Sequence, residues 1–201
     1  MRLDPFYPIV DSAALVARLV PLGVRLVQLR IKGAAEAGLR AEIRKAKAVC
    51  DCYHSTLVVN DHWRLAIEEG CAVVHLGQED LALADLAAIK RAGLRFGISS
   101  HDRAELAAAL AVAPDYVALG PIYPTALKPM RCGPQGLERL AEWKSLVGSL
   151  PLVAIGGLDP GRLAGVFAHG ADSAAAATDI VGSDNPEART RAWLQATAWR
   201  R

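Results

Sequence analysis

TLVVNDHWRLAIEEGCAVVHLGQEDL, residues Thr56–Leu81, contains two apolar runs that each lead to a carboxylate. The β-branched run from Thr56 to Val59 stops at Asn60 and Asp61. A short helical segment follows from Trp63 to Glu69 and is closed by Gly70. A second apolar run, Ala72 to Leu76, breaks at Gly77 and reaches Asp80. If the two runs are neighbouring parallel strands, Asp61 and Asp80 stand at the same end of the sheet. Two carboxylates there, with the Asn60 amide beside one of them, make a seat for a hard divalent cation such as Mg²⁺, which prefers oxygen ligands and bridges to substrate phosphates. The competing reading is that each Asp caps the helix after it, since Asp is a favoured N-cap.

Outward from this stretch, short β-like runs alternate with helical patterns. Before it come the strands Phe6–Val10 and Val24–Leu29, with helices capped at Asp11 or Ser12 and running from about Ala34 to Cys52. After it come the strands Leu94–Ile98, Asp115–Leu119, Pro151–Ile155 and Asp172–Ala177. They are separated by helices at 83–91, 102–112, 137–147 and 160–168, and a last helix follows Asp184 or Pro186. Eight strand-helix pairs with right-handed parallel crossovers predict an α/β fold, a (β/α)₈ TIM barrel. The alanine run at 174–177 is weak as a strand on propensity; its place in the alternation decides it, and its small side chains leave room for a ligand. The one long loop, Pro121 to Gly136, marks a functional segment.

A chain of 201 residues suits one domain over 1–201. Its 52% hydrophobic and 22% charged content fits a globular protein, and a net charge of +2 without basic runs argues against a nucleic-acid partner. No run reaches the length of a membrane span, and Asp4 with two prolines interrupts any apolar leader, so a cytoplasmic protein is expected. The four cysteines lack paired zinc spacing and read as free thiols.

A barrel of this kind carries its active site at the C-terminal ends of the strands. This sequence places Gln28, Arg30 and Lys32 after strand two, Asn60 and Asp61 after three, and Gln78, Glu79 and Asp80 after four. Ser99 and His101 follow strand five, Thr125 and Lys128 lie on the loop after six, Gly156-Gly157 follows seven, and Thr178 follows eight. Three cations converging with two carboxylates suit a diphosphate bound with Mg²⁺. The two glycines before a helix offer N–H groups to a second phosphate, although a lone pair of this kind is more often a plain turn. His75 reads as a hydrogen-bonded core residue and His101 as a helix start. Cys132 has no partnered base, and Ser99 has no His-Asp pair to make it a nucleophile.

The assembled motifs resemble the thiamine phosphate synthase family. They are Gln28-Leu29-Arg30-Ile31-Lys32, Asn60-Asp61, His75 to Asp80, Gly97-Ile98-Ser99, Asp115-Tyr116, Gly120 to Thr125, Lys128, and Ala154 to Gly157. The resemblance implies transfer of a hydroxymethylpyrimidine group from its diphosphate to a thiazole phosphate, with both small molecules as substrates and a homo-oligomer as a possible assembly. It implies that Asp61 and Asp80 hold Mg²⁺, while Gln28 to Lys32, Asn60, Ser99 and Lys128 contact the pyrimidine diphosphate. Of these, Arg30, Lys32, Ser99 and Lys128 are the implied catalytic set. Thr125, Ala126, Leu127, Gly156, Ala177 and Thr178 are implied for the thiazole phosphate. The chain departs from the family pattern at Leu127, where a second Thr is usual, and at Thr178-Asp179, where Ser and a small neutral residue are usual. An acid at 179 is expected to weaken phosphate binding. The rival readings are a thiazole tautomerase, disfavoured because Gly120-Pro121 stands where a Gly-His motif is expected, and a non-catalytic barrel that binds a thiamine precursor.

Overall fold

In the computed structural model, which describes residues 3–125 and 133–201, eight parallel strands close into a barrel. The strands are β1 Phe6–Val10, β2 Leu26–Leu29, β3 Thr56–Asn60, β4 Val73–Leu76, β5 Arg95–Ser100, β6 Tyr116–Leu119, β7 Leu152–Ile155 and β8 Ser173–Ala176. Each pairs with its sequence neighbour, and β8 returns to β1 with Phe6 opposite Ala174. The alanine run therefore does form a strand: it takes the last place in a closed ring, where tertiary pairing overrides propensity.

Helices cover the outside. The longest, α2 Glu36–Cys52, buries Leu39, Ile43, Ala46 and Cys50, a spacing that lays one apolar stripe along the barrel. Ser12, of the two residues proposed, caps α1 Ala13–Leu19 by accepting from the Leu15 N–H. The helix expected at 83–91 is two short ones, α4 Gln78–Leu83 and α5 Leu86–Arg91, parted at Ala84. Between β3 and β4 lies α3 Trp63–Glu68. The later crossovers are α6 Arg103–Ala111, α7 Gly136–Val147 and α8 Leu163–Ala168; after β8 come a short α9 Thr178–Val181 and then α10 Pro186–Thr197.

Because successive strand side chains alternate, seven of the eight strands feed two apolar layers, while β5 turns Gly97 and Ser99 inward. One set, such as Val27, Val59, Val74, Ile98, Val117 and Leu152, packs between barrel and helices. The other set, Tyr7, Leu26, Val58, Val73, Tyr116 and Val153, fills the barrel interior. At the N-terminal rim the acids are structural. Asp4 accepts from the Phe6 N–H, Asp115 from Phe96 and Asp172 from Leu152, so each satisfies a strand end that lacks a ladder partner. No helix among the described residues is long and apolar enough to cross a membrane, and Cys50, Cys52 and Cys71 are free thiols.

Candidate active site

At the opposite rim the acids behave differently. Asp61 follows β3 with φ of 64°, a left-handed conformation that few non-glycine residues adopt and that Asp tolerates better than most. It caps nothing, since α3 begins after His62 and has no side-chain cap. Asp80 lies inside the first turn of α4, whose N-cap is Gly77. The capping reading therefore fails for both residues. Instead the two carboxyl groups stand close enough for the charge of Asp80 to act on Asp61. Burial pushes the Asp61 carboxyl above the usual carboxylate range, and the negative charge of Asp80 raises it further. Lys32 opposes this from 3.4 Å, but its side chain is 63% exposed and the pair is weak. Asp80 lies close over the start of its helix: a Cβ on Gly77 would stand 3.0 Å from Asp80 Oδ2.

Two like charges held together at the mouth of a barrel, with a lysine at their edge, form an oxygen donor set that fits a small divalent cation. Among the described residues no group of three or more His, Cys, Asp or Glu side chains is placed to hold a metal. A pair suffices for Mg²⁺, which commonly takes one or two carboxylates and completes its shell with water and phosphate oxygens.

Around the pair, strand alternation decides which predicted residues face inward. Gln28 and Asn60 are buried polar residues at the inner ends of β2 and β3. Ser99, on β5, is partly buried; its hydroxyl lies 2.8 Å from His75 Nε2, and its carbonyl accepts from Gln78 Nε2 at 2.6 Å. Arg30 is exposed, yet close enough to His75 for its charge to matter: burial first and then Arg30 bring the imidazole down to about 4. Leu29 and Ile31 differ. Their side chains pack into the outer apolar layer, so any contact they make at the rim is through backbone.

On the far side, the loop after β6 is tied to the end of β7: Ile122 N–H donates to Ile155 O at 2.9 Å and Tyr123 N–H to Gly156 O at 3.0 Å. This brings half-buried Thr125 toward Gly156. Gly156 and Gly157 both have positive φ, and a Cβ on either would stand 2.5 Å from the β6 loop, so the close approach of two loops requires this pair. Ala177 follows β8 half-buried, and Thr178 starts α9 exposed. Lys128, Ala126, Leu127 and Cys132 lie outside the described residues. His101 is a helix-start residue, its Nδ1 2.7 Å from Glu105.

Asp179, expected to disturb a phosphate, is otherwise engaged. Arg189 on α10 holds it with two bonds of 2.7 Å and the Trp193 indole donates to it at 2.6 Å. Its charge is spent on docking α10. We therefore expect Asp179→Ala to lower stability by about 1–2 kcal/mol, a figure reduced for partial solvation, with turnover nearly unchanged. Thermal unfolding with steady-state kinetics checks this. An unchanged melting temperature would mean that the acid does not dock α10.

Sequence reasoning missed Tyr7 and quoted Tyr116 in a motif without giving it a role; their hydroxyls meet 3.0 Å apart inside the barrel. The available signal was the alternation that turns both side chains inward.

Comparison with known proteins adds a second line of observation. A family model described as thiamine monophosphate synthase matches residues 6–180. A thiamine-phosphate synthase of Rhizobium etli is 64% identical over 201 residues, covering 100% of this chain and 98% of that one. One of Neisseria meningitidis is 47% identical over 188 residues, covering 94% and 92%. Among solved structures, a thiamine phosphate pyrophosphorylase from Pyrococcus furiosus superposes with a TM-score of 0.87 over 98% of this chain and 96% of that one, at 23% identity, a likeness of fold.

Proposed function

Because this chain belongs to the thiamine monophosphate synthase family, a family of transferases, we propose that its C-terminal rim joins a hydroxymethylpyrimidine, delivered as its diphosphate, to the ring nitrogen of a thiazole phosphate. The observation that carries this reading is the Asp61–Asp80 pair with Lys32 at its edge and Arg30 nearby. Paired acids flanked by cations fit a ligand that brings both a divalent metal and a dense negative charge.

In this reading the bond between the pyrimidine methylene carbon and the diphosphate oxygen breaks, and its electron pair leaves with the diphosphate. The methylene carbon becomes cationic, and the thiazole nitrogen lone pair forms the new C–N bond. No proton has to be removed from either reacting atom. The chain's inventory agrees, because His75 is buried, neutral and not poised as a base at neutral pH. Arg30, Lys32 and Lys128 hold the leaving diphosphate and Ser99 donates to it. Asn60 and Gln28 orient the pyrimidine from the floor. Thr125, Gly156 and the end of β8 at Ala177 and Thr178 receive the thiazole phosphate, with Ala126 and Leu127 on the same loop. Asp61 and Asp80 would hold Mg²⁺, which when bound neutralises charge on the departing diphosphate. Catalysis is then positioning with electrostatic stabilisation of the leaving group.

The experiment is to incubate purified protein with both substrates and Mg²⁺ and look for thiamine phosphate by mass spectrometry. The expected product is one molecule joining both fragments. Tight binding of either substrate with no joined product would contradict the reading in favour of a binding barrel.

A further inference from the structure

A buried polar chain crosses the barrel between the apolar interior and the mouth. Gln28 Nε2 donates to Tyr7 Oη at 2.8 Å, and Tyr7 Oη lies 3.0 Å from Tyr116 Oη. Tyr116 Oη lies 2.9 Å from His75 Nδ1, and His75 Nε2 lies 2.8 Å from Ser99 Oγ. Both phenols and the imidazole are fully buried or nearly so. Each hydroxyl has one proton to give and an oxygen that can accept twice, so the direction follows from where each proton finds an acceptor. Tyr7 faces a donor in Gln28, and the one other partner of its hydroxyl among the described residues is Tyr116; its proton is therefore used only if it goes to Tyr116, which then gives its own to His75 Nδ1. A neutral imidazole that accepts at Nδ1 carries its hydrogen on Nε2, and Nε2–H donates to Ser99.

We propose that Tyr7, Tyr116 and His75 are positioning residues: they form a one-way hydrogen-bond chain that fixes His75 as the Nε2–H tautomer, so that Ser99 accepts from inside the barrel and donates its own proton outward to an anionic group at the mouth. The tautomer stands on the interior geometry alone; the outward role of Ser99 rests on the proposed diphosphate site. The opposite direction would have Ser99 donating inward and its lone pairs facing an anion. Burial supports a chain of neutral groups, since it raises both tyrosines above their ordinary range. The Tyr116 ring also stacks on His75, with centroids 5.5 Å apart and an interplanar angle of 24°, so the imidazole plane is held as well as its protons.

The test is long-range ¹H–¹⁵N correlation NMR on the full protein with ¹⁵N-labelled histidine, using His75→Gln to assign the signal. The wild type should show Nε2 protonated and Nδ1 bare. Tyr116→Phe keeps the ring and removes only the donor to Nδ1; His75 should keep its hydrogen on Nε2, where Ser99 still accepts, while its Nδ1 signal moves to that of a nitrogen with no bonded donor, and kcat for diphosphate release should fall about tenfold, a magnitude usual for loss of a group that orients a site residue. Tyr7→Phe, one bond further back, should keep the Nε2–H form because Tyr116 still donates. A wild-type His75 protonated on Nδ1, or an Nδ1 signal that does not move in Tyr116→Phe, overturns the chain. Ser99→Ala with full diphosphate release, measured where the wild type turns over, overturns the outward half alone.

Discussion

Asp61→Asn is expected to lower turnover on the order of 10²–10³-fold while leaving the metal-free protein as stable as the wild type or slightly more so. Activity falls because the site loses one of its two carboxylates. Stability does not fall, because in the absence of a cation that carboxylate is buried against Asp80 and each disfavours the other's charge. Asn is the informative replacement, since it tolerates the left-handed backbone at φ of 64° that alanine would strain. The lost contact to exposed Lys32 is worth little. Relief of about 1 kcal/mol corresponds to roughly 2–4 °C in a chain of this size. Asp80→Asn should behave in the same way, because it removes the other half of the same repulsion. Thermal melts in EDTA beside steady-state kinetics in Mg²⁺ measure both quantities. Full activity in either variant would remove the metal assignment. A large drop in melting temperature would mean that the carboxylates are structural.

Gly97→Ala should be the most damaging single methyl inside the barrel. Gly97 pairs with Tyr116 across β5 and β6, and a Cβ on it would lie 2.0 Å from Tyr116 Cζ and 2.2 and 2.3 Å from the two adjoining ring carbons. The ring has no room to retreat: it is fully buried, stacked on His75, and held at its hydroxyl by Tyr7 and His75. Overpacking of this kind typically costs 1–3 kcal/mol, and here a loss of about 3 kcal/mol or more is expected, near 10 °C in melting temperature. The cause can be isolated by a double-mutant cycle. In a Tyr116→Val background the added methyl has space, so Gly97→Ala should cost at least about 1.5 kcal/mol less than in the wild type. Equal costs in the two backgrounds would show that the ring is not what the glycine accommodates.

The barrel was legible because parallel strands and their crossover helices leave a local pattern at every step, and even the alanine strand could be placed by counting. The rim residues could be listed for the same reason, since each follows a strand. What the pattern did not carry is information set by register or by distant packing. Asp61 and Asp80 read equally well as helix caps until the backbone showed Asp61 left-handed and Asp80 inside a helical turn. Leu29 and Ile31 sit within a motif of inward residues, yet alternation turns their side chains to the helices. The acid at 179 looked misplaced because its partners Arg189 and Trp193 lie on the next helix, 10 and 14 residues further along the chain. Tyr116 and Gly97 acquire meaning only together, and their pairing depends on strand register.

The central claim is that this rim expels diphosphate only when both substrates and a divalent cation meet there. The direct measurement is diphosphate release by purified protein with the pyrimidine diphosphate, the thiazole phosphate and Mg²⁺, repeated with EDTA and with the thiazole phosphate left out. The account predicts steady release in the complete mixture and none above background when either component is missing. Release that persists undiminished in EDTA, or no release from a protein that still binds the pyrimidine diphosphate, would contradict it.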